Sequence, residues 1–295
     1  MCSSDLVIEQ RFGFNRMTAR LFLVDLAKHA AIGAAIGMPL LFCVLWLMAQ
    51  MGEFWWLYVW AAWSAFNLLM LVLCPTLIAP LFNKFSPLTD GALRERIEVL
   101  LTRCGFRAQG LFVVDSSLRS SHGNAYFTGF GRSKRIVLFD TLIERLAPAE
   151  IEAVLAHELG HFSHRHVVKR IVMLFVASLA VFWLLGQFMV HDWFYTALGV
   201  QAQGTAMALL LFFIALPSFA LLLQPLASHF SRKQEFEADA YAATHARADD
   251  LVQALVKLYR DNAATLTPDP VHSAFYDSHP PATLRIARLH AVRPA

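Results

Sequence analysis

Charge is what this 295-residue chain lacks most: 16% of its residues are charged, against roughly 25% in an average soluble domain. Together with 57% hydrophobic residues and a mean hydropathy of +0.49, that excludes a disordered chain, a fibrous repeat and an ordinary soluble enzyme. Cysteine is also scarce. Cys2, Cys43, Cys74 and Cys104 are scattered without CxxC spacing, which argues against a disulfide-stapled secreted fold and against a cysteine-based zinc site. There is no basic run interleaved with aromatics, and the net charge is only +3, so nothing points to nucleic acid. No repeat or low-complexity tract is visible, and the polar, mixed N-terminus does not read as a cleavable signal peptide.

The missing charges leave four gaps, at Ala30–Gly52, Phe54–Asn83, Ile171–His191 and Trp193–Ser231. Each supplies the ~20 apolar residues that cross ~30 Å of hydrocarbon. We read transmembrane helices at about 31–51, 56–77, 171–190 and 206–228. Buried helices of a large soluble protein are the competing explanation, but soluble cores rarely supply four uncharged runs of this length. Trp55, Trp56 and Trp193 fall at the expected helix ends, as an interfacial aromatic belt requires. Lys and Arg are absent from 29–83 and 171–231, whereas Arg11, Arg16, Arg20, Lys28, Lys84, Lys169, Arg170, Arg232 and Lys233 flank the runs. The positive-inside rule then puts the connections near Gln50–Phe54 and His191–Thr205 outside and everything else in the cytoplasm.

The expected fold is mainly α: a polytopic membrane protein with four transmembrane helices and a cytoplasmic, zincin-like α+β catalytic region holding a small β-sheet. Four segments follow: 1–83 with the first transmembrane pair, 84–170 ending in a histidine-rich helix, 171–231 with the second pair, and 232–295, helical and cytoplasmic. Within them, Asp90–Cys104 has helical periodicity and Leu111–Val114 is β-rich. Asn124–Phe130 and Arg135–Phe139 read as strands joined by a turn at Gly131–Lys134. Pro148 opens a helix running to about His164, open to continuation into the third membrane helix. Residues 232–246, 249–263 and 283–292 read as helices, and 264–282 as an irregular tail.

The chemistry is concentrated at 155–166, LAHELGHFSHRH. His157 and His161 stand four apart, so on a helix they share one face and can reach one metal. Glu158 lies between them, in reach of a metal-bound water. This is the HExxH pattern of two zinc ligands and a general base, expected by chance in about 0.02 of such chains. A third ligand is needed, with water in the fourth position. KQEFEADAYA at 233–242 offers it. Glu235 and Asp239 are i and i+4 and share a face, while Glu237 lies ~200° from Glu235 and points elsewhere. Glu235 is the expected ligand, and Asp239 an acceptor for the far N–H of His157 or His161. Asp239 as the ligand, or a plain solvated acidic face, are the alternatives. Two membrane crossings between His161 and Glu235 return the chain to the side it left, so both halves meet at the cytoplasmic surface.

HELGH, followed after two membrane helices by SRKQEFEADAYA, resembles the integral-membrane type I CAAX prenyl proteases. So do PTLIAPLFNKFSPL at 75–88, HGNAYFTGFGRSKRIVLFDTL at 122–142 and SHPPATLRIARL at 278–289. The related HtpX-type quality-control proteases share the zinc motifs but match less of the chain. The resemblance implies a zinc endopeptidase whose site faces a large intramembrane chamber, with one Zn2+ held by His157, His161 and Glu235 and with Glu158 as base. It implies that His279 and Arg285 help to bind the substrate or the tetrahedral intermediate, and that Asn124 and the following strand pair with the substrate backbone. His166 matches an extended form of the motif, and His164 reads as surface. Family members carry further membrane helices upstream of Glu9, so the chain reads as N-terminally truncated.

The expected substrate is a peptide or protein near the lipid bilayer, with or without a prenyl group at a C-terminal CAAX. His279 has two open roles, as oxyanion donor or as a structural residue beside Pro280–Pro281. Arg285 has two as well: pairing a substrate carboxylate, or pairing Asp239 or Glu235. The strand after Asn124 is either a peptide-binding edge or one arm of an ordinary hairpin. The Ala- and Leu-rich composition suggests a bacterial inner membrane. A membrane quality-control protease and a non-catalytic metal-binding scaffold are the competing functions, and the base between the two histidines speaks against the second.

Overall fold

The computed structural model describes residues 3–128 and 135–291. The elements in chain order are α1 (Ser3–Arg11), α2 (Ala19–Gln50), α3 (Trp55–Leu73), a π-helical turn at Cys74–Ile78, α4 (Ala79–Phe82), β1 (Phe85–Pro87), α5 (Gly91–Arg103) and β2 (Gly110–Val114). Then come β3 (Ala125–Thr128), β4 (Arg135–Phe139), α6 (Asp140–Arg145), α7 (Pro148–Ser163), α8 (His166–Phe188) and α9 (Asp192–Ala197). The chain ends with α10 (Thr205–His245), α11 (Ala248–Asp261), α12 (Pro270–Tyr276) and α13 (Ala282–Ala291). Two compact units divide it: residues 23–73 with 167–224, and residues 1–22 with 74–166 and 225–295.

Four helical stretches are long and apolar enough to cross a membrane: Ala19–Gln50, Gly52–Phe82, His166–Phe188 and Thr205–His245. They match the four uncharged runs of the sequence. In the unit built from them, Val44, Met48, Trp55, Val59, Phe182, Leu185 and Phe212 form a buried cluster with Phe194 and Tyr195 of α9. Trp60 donates its indole N–H to the Phe175 carbonyl at 2.9 Å, tying α3 to α8. Much of the remaining apolar surface, including Ile214, Phe219 and Leu222 of α10, is exposed. Apolar side chains facing outward on an uncharged stretch of helix suit hydrocarbon, not water.

The second unit is α+β. Asp90 caps α5 by accepting the Ala92 and Leu93 N–H groups, which satisfies donors that a helix start leaves orphaned. Leu93, Ile97 and Leu100 recur at helical spacing and are buried, each contributing ~1.5–3 kcal/mol. They meet Leu111 of β2, Ile136 and Leu138 of β4, and Ile151, Leu155 and Leu159 of α7 in one core. The sheet runs β1-β2-β4-β3, with β2 and β4 parallel and the other pairs antiparallel. Ala125 pairs with Leu138 and Thr128 with Arg135, so β3 lies at a sheet edge beside α7.

Several expectations need correction. The helix through HELGH does not continue into the third membrane helix: it stops at Ser163, and Arg165 takes φ 56° before α8 begins at His166. The segment 232–246 is not a separate helix but the end of α10, since no breaker interrupts it there. The tail 264–282 contains α12, capped by Asp269 through the Val271 and His272 N–H groups and opened by Pro270. The short strand β1 carries no period-2 signal and was not expected. The turn Gly131–Lys134, and the end of the strand drawn to Phe130, lie outside the described residues.

Candidate active site

α7 opens on Pro148, and Glu150 Oε2 accepts the Ala147 N–H at 2.7 Å while also holding Lys257 Nζ at 2.7 Å. The helix is therefore anchored at its start, and its second half delivers His157 and His161 to one face. α10 crosses close by because Gly160 has no side chain: a Cβ there would lie 2.9 Å from Ala238 Cα. This approach sets Glu235 opposite the two histidines. The uncharged part of α10 ends at Ser231, four residues before Glu235.

The three side chains form a triangle. Nε2 of His157 is 3.2 Å from Nε2 of His161 and 3.4 Å from Oε2 of Glu235, and His161 Nε2 is 3.4 Å from Glu235 Oε1. Tetrahedral ligands set about 2.05 Å from a zinc-like ion stand roughly 3.3 Å apart. Among the described residues this is the His, Cys, Asp and Glu group close enough to hold an ion. Glu235 Oε2 is buried and makes no hydrogen bond. Such an orphaned oxygen costs about 1–3 kcal/mol, more when charged, unless a cation takes it up. The donor set therefore fits a divalent metal.

Behind the triangle lies a layer of partners. His157 Nδ1 is 2.9 Å from Asp239 Oδ1. Arg285 Nε and Nη2 donate to the two oxygens of Asp239 at 2.8 and 2.6 Å, and its Nη1 is 3.8 Å from Glu235 Oε2. Arg285 is 5% exposed. The bidentate pair with Asp239 realises one of its two open roles, and Nη1 is not engaged in that pair. On the other side, His161 Nδ1 is 2.9 Å from His166 Nδ1, and His166 Nε2 is 2.9 Å from Glu237 Oε2. Sequence reasoning left His166 without a role and sent Glu237 elsewhere. Glu237 does point away from Glu235, but toward His166. The only signal was the extra histidine after HELGH, and helical periodicity could not use it because the helix breaks first.

Burial disfavours the His157 cation, yet the hydrogen bond to Asp239 and the Glu235 carboxylate 3.4 Å from Nε2 hold its pKa up at about 9. Burial likewise opposes the Glu235 and Asp239 anions. The His157 ring 3.4 Å away and neighbouring positive charge nevertheless hold Glu235 down at about 2. Hydrogen bonds from His157 and Arg285 do the same for Asp239, also to about 2. His157, Glu235, Asp239 and Arg285 thus form an ion-pair network.

The remaining expected residues lie around this centre. Glu158 is half-buried on α7 between the two histidines. His279 is exposed, with Nε2 3.6 Å from Glu235 Oε1 and Nδ1 3.0 Å from Ser278 Oγ. Asn124 is exposed at the start of β3; its Oδ1 accepts the Ala125 N–H at 2.8 Å and its carbonyl accepts the Phe139 N–H at 3.0 Å. Phe127 of β3 packs on Phe162 of α7 with ring centroids 5.4 Å apart, so the edge strand runs along the helix that carries the histidines. His164 is exposed, as expected.

Comparison with known proteins agrees with this construction. Residues 87–293 match the model of peptidase family M48, and residues 4–84 match the CAAX prenyl protease N-terminal model of five membrane helices. The chain is 40% identical to the CAAX prenyl protease 1 homolog of Arabidopsis thaliana over 98% of its own length and 68% of that protein. It is 35% identical to CAAX prenyl protease 1 of Saccharomyces cerevisiae, over 98% and 67% of the two lengths. The crystal structure of S. mikatae Ste24p superposes with a TM-score of 0.90 at 36% identity, covering 97% of this chain and 70% of that one. A family match over most of the chain, relatives this similar and a shared polytopic fold agree: the chain belongs to peptidase family M48, in its CAAX prenyl protease group, and is an integral-membrane metalloendopeptidase.

Proposed function

We propose that the chain is a zinc-dependent endopeptidase that cleaves peptide bonds at the cytoplasmic membrane surface, and that prenylated CAAX-type peptides are among its substrates. The observation that carries this reading is the triangle of His157, His161 and Glu235, in which the buried Glu235 Oε2 makes no hydrogen bond. Two imidazoles, one carboxylate and no thiolate suit a catalytic zinc with an open position. When bound, the zinc supplies Lewis-acid polarisation of the scissile carbonyl and a water of lowered pKa. Glu158 takes a proton from the attacking water at its carboxylate and returns it to the leaving amine. His279, exposed and close to Glu235, donates to the carbonyl oxygen as negative charge develops there. The exposed edge of β3 pairs with extended substrate backbone, with Asn124 at its start; such pairing binds peptide without strong sequence demand. Arg285 acts through Asp239, keeping that carboxylate aimed at His157.

The prenyl preference is drawn from the names of the relatives in Arabidopsis thaliana and Saccharomyces cerevisiae. The Lys and Arg distribution supports a site on the cytoplasmic side. Composition supports a bacterial inner membrane, where prenylated C-termini are scarce, so unmodified peptides belong in the test.

Purified protein in detergent is given matched peptides, one farnesylated at a CAAX cysteine and one not, and products are read by mass spectrometry. Cleavage by the wild type with at least a 100-fold loss in Glu158→Gln, at unchanged zinc content, is expected. Full activity in a zinc-loaded Glu158→Gln sample would sink the mechanism. Equal rates on both peptides would remove the prenyl preference and leave the peptidase.

A further inference from the structure

His166 is the most buried histidine around the site, at 1% exposure, and lies outside the ligand triangle. Both of its ring nitrogens have partners at hydrogen-bond distance: Nδ1 to His161 Nδ1 at 2.9 Å, and Nε2 to Glu237 Oε2 at 2.9 Å. The proton positions follow from counting donors. An ionised carboxylate only accepts, so His166 Nε2 carries the hydrogen. A neutral ring has one N–H, so His166 Nδ1 is then an acceptor. His161 Nδ1 must donate to it, and His161 Nε2 is left with a bare lone pair. That lone pair is on the nitrogen that stands 3.2 Å from His157 Nε2 and 3.4 Å from Glu235 Oε1.

We propose that His166 and Glu237 are positioning residues that hold His161 in the tautomer presenting Nε2 to the metal. The proposal rests on the metallopeptidase reading. It gives His161 what Asp239 gives His157 directly, a fixed acceptor for the far N–H. The fold explains why an imidazole is interposed. Glu237 lies two residues from Glu235, ~200° round α10, so its carboxylate meets His166 and not the triangle. Were α7 unbroken, His166 would lie five residues from His161, ~140° round the helix and turned away. The left-handed Arg165, φ 56°, folds the chain back and sets His166 against His161.

The test is metal affinity of the full chain, by chelator competition with Zn2+ and Co2+, together with the Co2+ absorption spectrum. His166→Leu keeps the bulk and removes the acceptor; 10–100-fold weaker binding is expected. His166→Gln restores an oxygen that can accept from His161 Nδ1, and binding should return to within several-fold of wild type. Glu237→Ala, at a half-buried position, should weaken binding about tenfold. If His166→Leu fails to fold, Glu237→Ala decides alone. Wild-type affinity in Glu237→Ala overturns the relay, and so does a His166→Gln as weak as His166→Leu, because packing would then suffice. A wild type that binds neither ion overturns the metal reading itself, and the relay with it. Normal wild-type binding with unaffected variants overturns the relay alone.

Discussion

His157 has a carboxylate within reach of each ring nitrogen, Asp239 on Nδ1 and Glu235 on Nε2. In the metal-free chain that favours the imidazolium, with a pKa near 9 against an ordinary 6.5. A group raised in this way stabilises the fold fully below 6.5 and loses that contribution as the pH climbs through about 9. Glu235 and Asp239, lowered to about 2 from 4.5 and 3.8, act in the opposite sense and fail only as the pH falls toward 2. Metal-stripped protein should therefore lose thermal stability between pH 6.5 and 9. Metal binding needs the neutral ring, so metal affinity should rise about tenfold per pH unit below 9 with release of the His157 proton. Melting curves of stripped and zinc-loaded samples across that range, with titration calorimetry in buffers of different ionisation enthalpy, check both. A stripped protein with a flat profile, or no proton released at pH 7, would contradict the ion-pair account. The protonation states were not legible from spacing. Spacing put Asp239 behind one histidine, but which of its neighbours Arg285 would choose depended on where α13 folds.

At the scale of elements, the site depends on the contact between α7 and α10. Gly160 makes it possible, and Ala238 and Ala242 on the facing helix are fully buried. Gly160→Ala would put a methyl 2.9 Å from Ala238 Cα and 3.1 Å from Ala238 O and Tyr241 Cβ. Backbone cannot move aside as a flexible side chain can, so the helices must part, at a cost of about 1–3 kcal/mol. The variant should fold, melt lower and bind zinc at least tenfold more weakly, because the triangle is split between the two helices. Unchanged zinc affinity would show that the ligands tolerate the separation. The HExxH half of the site and Glu235 could be read from the sequence because i and i+4 share a helix face whatever surrounds them. His166 could not, because its position comes from a helix break at Arg165, which carries none of the usual breaker residues. α12 went unread for a related reason: seven residues are too short for periodicity to speak.

For the whole molecule, the orientation in the membrane is the consequence most open to test. With the native cysteines replaced, Gln201→Cys, between α9 and α10, should react with a membrane-impermeant maleimide from outside intact cells. Glu98→Cys, exposed on α5, should react only after permeabilisation. The reverse pattern would place the site on the outer face and overturn the cytoplasmic assignment. The sequence by itself determined the four apolar helices, the α+β region with its core strands, and the metal-ligating pattern. These follow from local composition and from the periods of helix and strand. Tertiary structure alone decided which acceptor Arg285 takes, where α7 stops, that the chain after Arg232 prolongs α10, and that Glu237 meets His166. Each of these is a choice among partners distant along the chain, settled by which helices can approach closely enough to touch.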